Sequence, residues 1–111
     1  MTNIGVSKET KILCICQYGN VRSVGTKRRL TRRGYRNVIA TGAENCGSET
    51  LMVLVDWADV VLVAEPHLAD LLPPSGKVDV RFTIGPDVFG NSASRALQDV
   101  VKEQLNGIGM R

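Results

Sequence analysis

The chain has 111 residues, 43% of them hydrophobic and 23% charged, with a formal net charge of +3. That size and balance fit one globular domain with a modest core, and the first apolar run, Lys11 to Cys16, is too short for a signal-peptide core or a bilayer crossing. Cys14, Cys16 and Cys46 lack C-x-x-C spacing, and His67 cannot complete a common zinc set with them, so free thiols and no metal are expected. A flexible tail over residues 1–10, a single domain over residues 11–111 and a cytoplasmic setting follow as expectations.

Apolar runs alternate with helical patterns along the chain, which is the α/β signature. "KILCI", from Lys11, is nearly unbroken and predicts a strand buried on both faces of a parallel sheet. Val21 to Arg33 predicts a helix ended by Gly34 as its C′ residue. "NVIATG" predicts a second strand, and Ser48-Glu49-Thr50 opens a helix through Trp57, a core residue. "DVVLVA", Asp59 to Ala64, repeats the buried-strand pattern, and Pro66 opens a short helix with His67 at its surface. "KVDVRF" alternates as an edge strand does, and Ser92 or Ser94 caps a last helix through Leu105. Four strands and four helices in strict alternation, joined by right-handed crossovers, make a small doubly wound sheet with helices on both faces and its site at the carboxyl ends of the strands.

Charge is distributed unevenly over these elements. Up to Gly42 the chain carries nine cations against Glu9 alone, whereas the remainder carries five cations and ten acids. Six of the cations fall in "KRRLTRRGYR", residues 27 to 36, on the first helix and the turn after it. A solvated helix face explains such a run, and so does an acidic or nucleic-acid partner. A single-strand reader would need interleaved aromatics, of which the run has only Tyr35.

"CQYGNVRS", residues 16 to 23, occupies the turn from the first strand into the first helix. A loop in that position points successive backbone N–H groups inward, and the helix adds its positive end, so Gln17, Tyr18, Gly19, Asn20 and Val21 are expected to cradle a tetrahedral oxyanion. Gly19 and Asn20 are expected to take the positive-φ positions. Cys16 lies at the floor, where the same donors favour a nucleophilic thiolate. Arg22 supplies a planar two-pronged donor for phosphate oxygens. Ser23 can donate its hydroxyl to the sulfur. Asp87 follows Gly85-Pro86 in the loop after the fourth strand and is the candidate general acid, and Tyr18 and Phe89 could line a slot for an aromatic leaving group.

These residues resemble the low-molecular-weight protein tyrosine phosphatases, whose loop reads C-x-G-N-x-C-R-S. "DWADVVLVAEPH" and "GPDVFG" are similar to that family's helix-to-strand segment and its P-D-P-Y-Y-G acid loop. The likeness spans most of Lys11 to Leu105. It implies a four-stranded parallel sheet in the order 2-1-3-4, a phosphotyrosine protein phosphatase I-like fold, a phosphocysteine intermediate, and neither metal nor cofactor. The family's second loop cysteine is Val21 here, and its prolines after R-S and after the acid are Val24 and Val88. The intraloop disulfide of the family is therefore not expected, and Cys46 is read as a plain loop thiol.

The expected activity is cysteine-dependent hydrolysis of phosphomonoesters, with a phosphorylated protein or a small aryl phosphate as substrate. A phosphocysteine carrier like the IIB sugar-phosphotransferase components would not need Arg22 or Asp87. An arsenate reductase would need a downstream cysteine pair. A non-catalytic basic adaptor would use the run over residues 27–36 alone.

Overall fold

The computed structural model describes residues 6–18, 20–74 and 76–111. Its centre is β1 (Lys11–Cys16), buried from Ile12 to Cys16. The parallel partners are β2 (Asn37–Gly42) on one side and β3 (Val60–Val63) on the other, with β4 (Val78–Asp79) beyond β3. The strand order is thus 2-1-3-4, and the register runs from Lys11 opposite Asn37 to Cys16 opposite Gly42. Unbroken apolar runs in β1 and β3 are what a strand covered on both faces requires.

The connecting helices follow the expected scheme closely. α1 (Arg22–Arg32) ends where Gly34 takes a φ of 93°, and α2 (Ser48–Trp57) starts after Gly47. β1 leads through α1 to β2 on one side, and β2 leads through α2 back across β1 to β3. Right-handed crossovers therefore put α1 and α2 on opposite faces. α3 (Arg95–Gly107) is capped by Ser94, whose hydroxyl accepts from the Leu97 amide at 3.4 Å. Ser92 instead offers its carbonyl to Gln98 Nε2 at 3.0 Å.

Two elements are shorter or tighter than the sequence pattern suggests. The segment Pro66–Leu71 is a 3-10 helix, with proline in its first turn and only Leu68 buried. The fourth strand stops at Asp79, although its alternation continues to Phe82. Asp79 Oδ1 accepts the Arg81 amide at 3.0 Å and its carboxylate also grips the Arg81 guanidinium, so a side-chain turn replaces the ladder. The chain then returns to the core with Phe82 and Ile84.

Residues 6–10, expected as part of a flexible tail, lie against the domain. Val6 packs on the core, Lys8 Nζ stands 4.0 Å from the Tyr35 ring centre, and Glu9 pairs with Arg36 at 2.9 Å. The first five residues of that tail fall outside the described residues.

α1 and α3 pack on each other through a glycine and a glutamine. Buried Gln98 donates to the Gly25 carbonyl at 3.0 Å and accepts from Arg29 Nε at 3.1 Å, so its amide is used at both ends. Gly25 lets the helices approach: a Cβ there would stand 2.6 Å from Leu97 Cδ2 and 3.1 Å from the Ser92 carbonyl oxygen. Leu97 is fully buried, so it can give way only by pressing on its packed neighbours. Gly25→Ala is therefore expected to lower the melting temperature, because overpacking costs about 1–3 kcal/mol and the helical alanine returns only about 0.5–1 kcal/mol. Thermal denaturation followed by circular dichroism checks this; an increase would mean that α3 can move aside.

Candidate functional site

The turn from β1 into α1 is held from outside by the loop that follows β2. The Ala43 amide donates to the Cys16 carbonyl at 2.8 Å, the Glu44 amide to the Gln17 carbonyl at 2.9 Å, and Asn45 Nδ2 to the Tyr18 carbonyl at 2.7 Å. Gln17 Nε2 also donates to Glu44 Oε1 at 3.2 Å. Three successive carbonyls of the turn are thereby committed to one neighbour. Val21 is the N-cap residue of α1, and neither a capping side chain nor an acid in the first turn shields the positive end of that helix.

The positive-φ positions expected at Gly19 and Asn20 depend on Gly19, which lies outside the described residues. The carbonyl bonds to residues 43–45 shape the part of the turn that precedes it.

Cys16 closes β1 and is buried, with Sγ 3.2 Å from Ser23 Oγ in the first turn of α1. Ser23 is buried as well, so the pair meets beneath the turn. Cys14 sits two residues earlier on the same strand, and burial pushes its thiol well above the ordinary range. Cys46 is partly buried against the core. None of the three is in a disulfide.

Arg22 is the largest of the fully buried side chains, only 1% exposed. Its Nη1 donates to the carboxylate of Glu65, at the end of β3, and to the Gly85 carbonyl at 2.7 Å. Its Nε has no hydrogen-bond partner among the described residues. A buried guanidinium with one arm locked and Nε unfilled is a costly arrangement unless something else supplies an acceptor.

Gly85, with a φ of 92°, opens the loop that carries Asp87. The amides of Ile84 and Gly85 both donate to the Ala64 carbonyl, which anchors that loop at the end of β3, beside Glu65. Asp87 is exposed two residues further on and makes no hydrogen bond or ion pair among the described residues. Phe89 packs partly on the core, whereas Tyr18 is 48% exposed. Cys16, Ser23 and Arg22 are thus brought together, and Asp87 is linked to them through Gly85.

Glu65 was not foreseen. It is a lone acid directly after a buried strand, on the sheet edge where a parallel α/β fold puts its site, and that position was the available signal. Its other oxygen lies 3.7 Å from His67 Nδ1. Glu44 and Asn45 carried the same signal, at the end of β2.

No protein-family model matches the chain, and no curated protein sequence matches it either. Among solved structures, the tyrosine phosphatase AmsI of Erwinia amylovora is similar in fold, with a TM-score of 0.68 at 16% identity, over 96% of this chain and 97% of that one. The four-stranded parallel sheet, in the order 2-1-3-4, and its helices share the fold of that protein.

Proposed function

We propose that the chain is a cysteine-dependent phosphomonoester hydrolase acting on phosphotyrosine or another aryl phosphate, without metal or cofactor. The observation that carries this reading is the state of Arg22. Glu65 and the Gly85 carbonyl fix one nitrogen of its guanidinium, and the unfilled Nε is available to a phosphate oxygen. The uncapped start of α1, immediately beside it, offers backbone donors to the remaining oxygens. A carrier that only accepts and passes on a phosphoryl group has no need of such a clamp.

Catalysis then runs in two displacements. Cys16, as thiolate, attacks phosphorus while Asp87 protonates the departing aryl oxygen, so the S–P bond forms as the P–O bond breaks. Arg22 holds the equatorial oxygens through the transfer. Water next attacks the phosphocysteine, giving its proton to Asp87, and the sulfur leaves as a thiolate stabilised by the Ser23 hydroxyl. The likeness to AmsI supports a phosphatase fold, and the tyrosine phosphatase activity named for that protein suggests the substrate class.

Cys16→Ser is expected to abolish hydrolysis of a small aryl phosphate while leaving the fold and phosphate affinity largely intact. Turnover within about tenfold of the parent protein would exclude the covalent route.

Arg22→Lys keeps the charge but loses the fork, and kcat/KM should fall by about a hundredfold or more. Glu65→Gln should act in the same direction but more mildly, mainly by raising KM, because the Gly85 carbonyl still holds the guanidinium. Steady-state kinetics on both variants test this, and a lysine variant with near-parental kcat/KM would sink the role given to the planar donor.

Asp87→Asn should slow phosphorylation of Cys16 by about a hundred- to ten-thousandfold for a poor leaving group such as tyrosine. Activated phenyl phosphates need less help, so the dependence of log rate on leaving-group pKa should steepen. Asp99→Asn, on α3, serves as the control. An unchanged slope in Asp87→Asn would return Asp87 to an ordinary turn residue.

A further inference from the structure

The cations of the basic run divide into two sets. Arg29 and Arg33 are engaged internally, Arg29 with Gln98 and Arg33 Nη1 with the Met110 carbonyl at 2.8 Å. Lys27 and Arg32 are exposed and neither donates a hydrogen bond nor pairs with a carboxylate among the described residues. Arg28 reaches only Ser92 Oγ at 3.0 Å. The cations without structural work all line one trough.

That trough lies between α1 and β2, the outermost strand of the sheet. A cavity of about 500 Å³ is bounded by Val24, Lys27, Arg28, Thr31, Arg32 and Ala40. A second, of about 560 Å³, shares Lys27 and Thr31 with it and continues past Gly34 to Arg36 and Val38. Val38 and Ala40 are two apart on one strand and so face the same way, and the small Ala40 leaves the space open. No acid lines either cavity.

We infer that this trough docks an extended, acid-rich segment of a partner protein. Four cations, Lys27, Arg28, Arg32 and Arg36, face it without a local counter-charge except Glu9 on Arg36, an exposed pair of little strength. The floor of Val24, Ala40 and Val38 suits the apolar side chains that alternate with acids in an extended peptide. A nucleic acid would leave that floor unused and would find no ring to stack on. Tyr35, the aromatic in the lining, is 4% exposed, stands 4.0 Å from Lys8 Nζ, and has its hydroxyl bonded to the Arg111 carbonyl at 3.2 Å. The docking uses neither Cys16 nor Arg22 and stands whether or not the chain hydrolyses phosphate esters.

Fluorescence anisotropy with a labelled peptide of about ten alternating Glu and Val residues tests the inference, alongside a Lys-Val peptide and an oligothymidylate of similar length. The acidic peptide should bind, and its affinity should fall steeply between about 50 and about 300 mM salt. Lys27→Glu/Arg32→Glu should weaken it by about tenfold or more, with Lys27→Ala/Arg32→Ala making the same comparison if charge reversal lowers the melting temperature. Thr31→Trp fills the shared wall without altering charge and should also weaken binding by about tenfold, which diffuse attraction to a basic surface would not produce. Absence of binding, Thr31→Trp binding as tightly as the parent, or oligothymidylate binding more tightly than the acidic peptide would each overturn the inference.

Discussion

The buried guanidinium of Arg22 is the constraint around which the carboxyl edge of the sheet is organised. An arginine taken out of water has to be met by acceptors, and here they come from two other segments, the end of β3 through Glu65 and the loop after β4 through Gly85. The β1–α1 turn, the end of the third strand and the loop after β4 are thereby tied at one point. Glu65 does more than neutralise a charge. It fixes which edge of the guanidinium is used up, and so which edge is left for a ligand.

A second set of bonds works from the opposite side of the turn. Residues 43–45 hold the carbonyls of Cys16, Gln17 and Tyr18, so the loop after β2 and the clamp on Arg22 grip the same turn at its two ends. Neither depends on the side chains that would perform chemistry. Cys16 and Ser23 can stay short and buried because the backbone around them is positioned by others.

Much of this was legible in the sequence, for reasons that differ by element. β1 and β3 announced themselves because strands covered on both faces carry few polar residues, and α1 because a glycine after its last turn can take the left-handed conformation that ends a helix. The C-x5-R-S spacing put Cys16 at the end of a strand and Arg22 and Ser23 at the start of a helix, because strand, turn and helix fix their separation once the elements are known. β4 misled because alternation continues to Phe82 while the Asp79–Arg81 pair, a tertiary choice between ladder and turn, ends the strand early. The carbonyl bonds that residues 43–45 make to the turn were not legible, because they come from a loop more than twenty positions away. Glu65 stayed hidden because its partner is 43 positions away, and nothing local marks an acid as one half of such a pair.

The stitch between Gly25 and Gln98 joins residues 73 apart. Arg33 and Tyr35 reach to Met110 and Arg111 over similar spans. On a ribosome, α1 is therefore made long before the surface it packs on. Cys16 belongs to the earliest strand, yet the helix that follows its turn gains its packing partner among the latest. Burial of α1 is thereby coupled to the arrival of α3, and a nascent chain halted before α3 would present Cys16 on an unfinished scaffold, open to oxidation that the completed fold restricts.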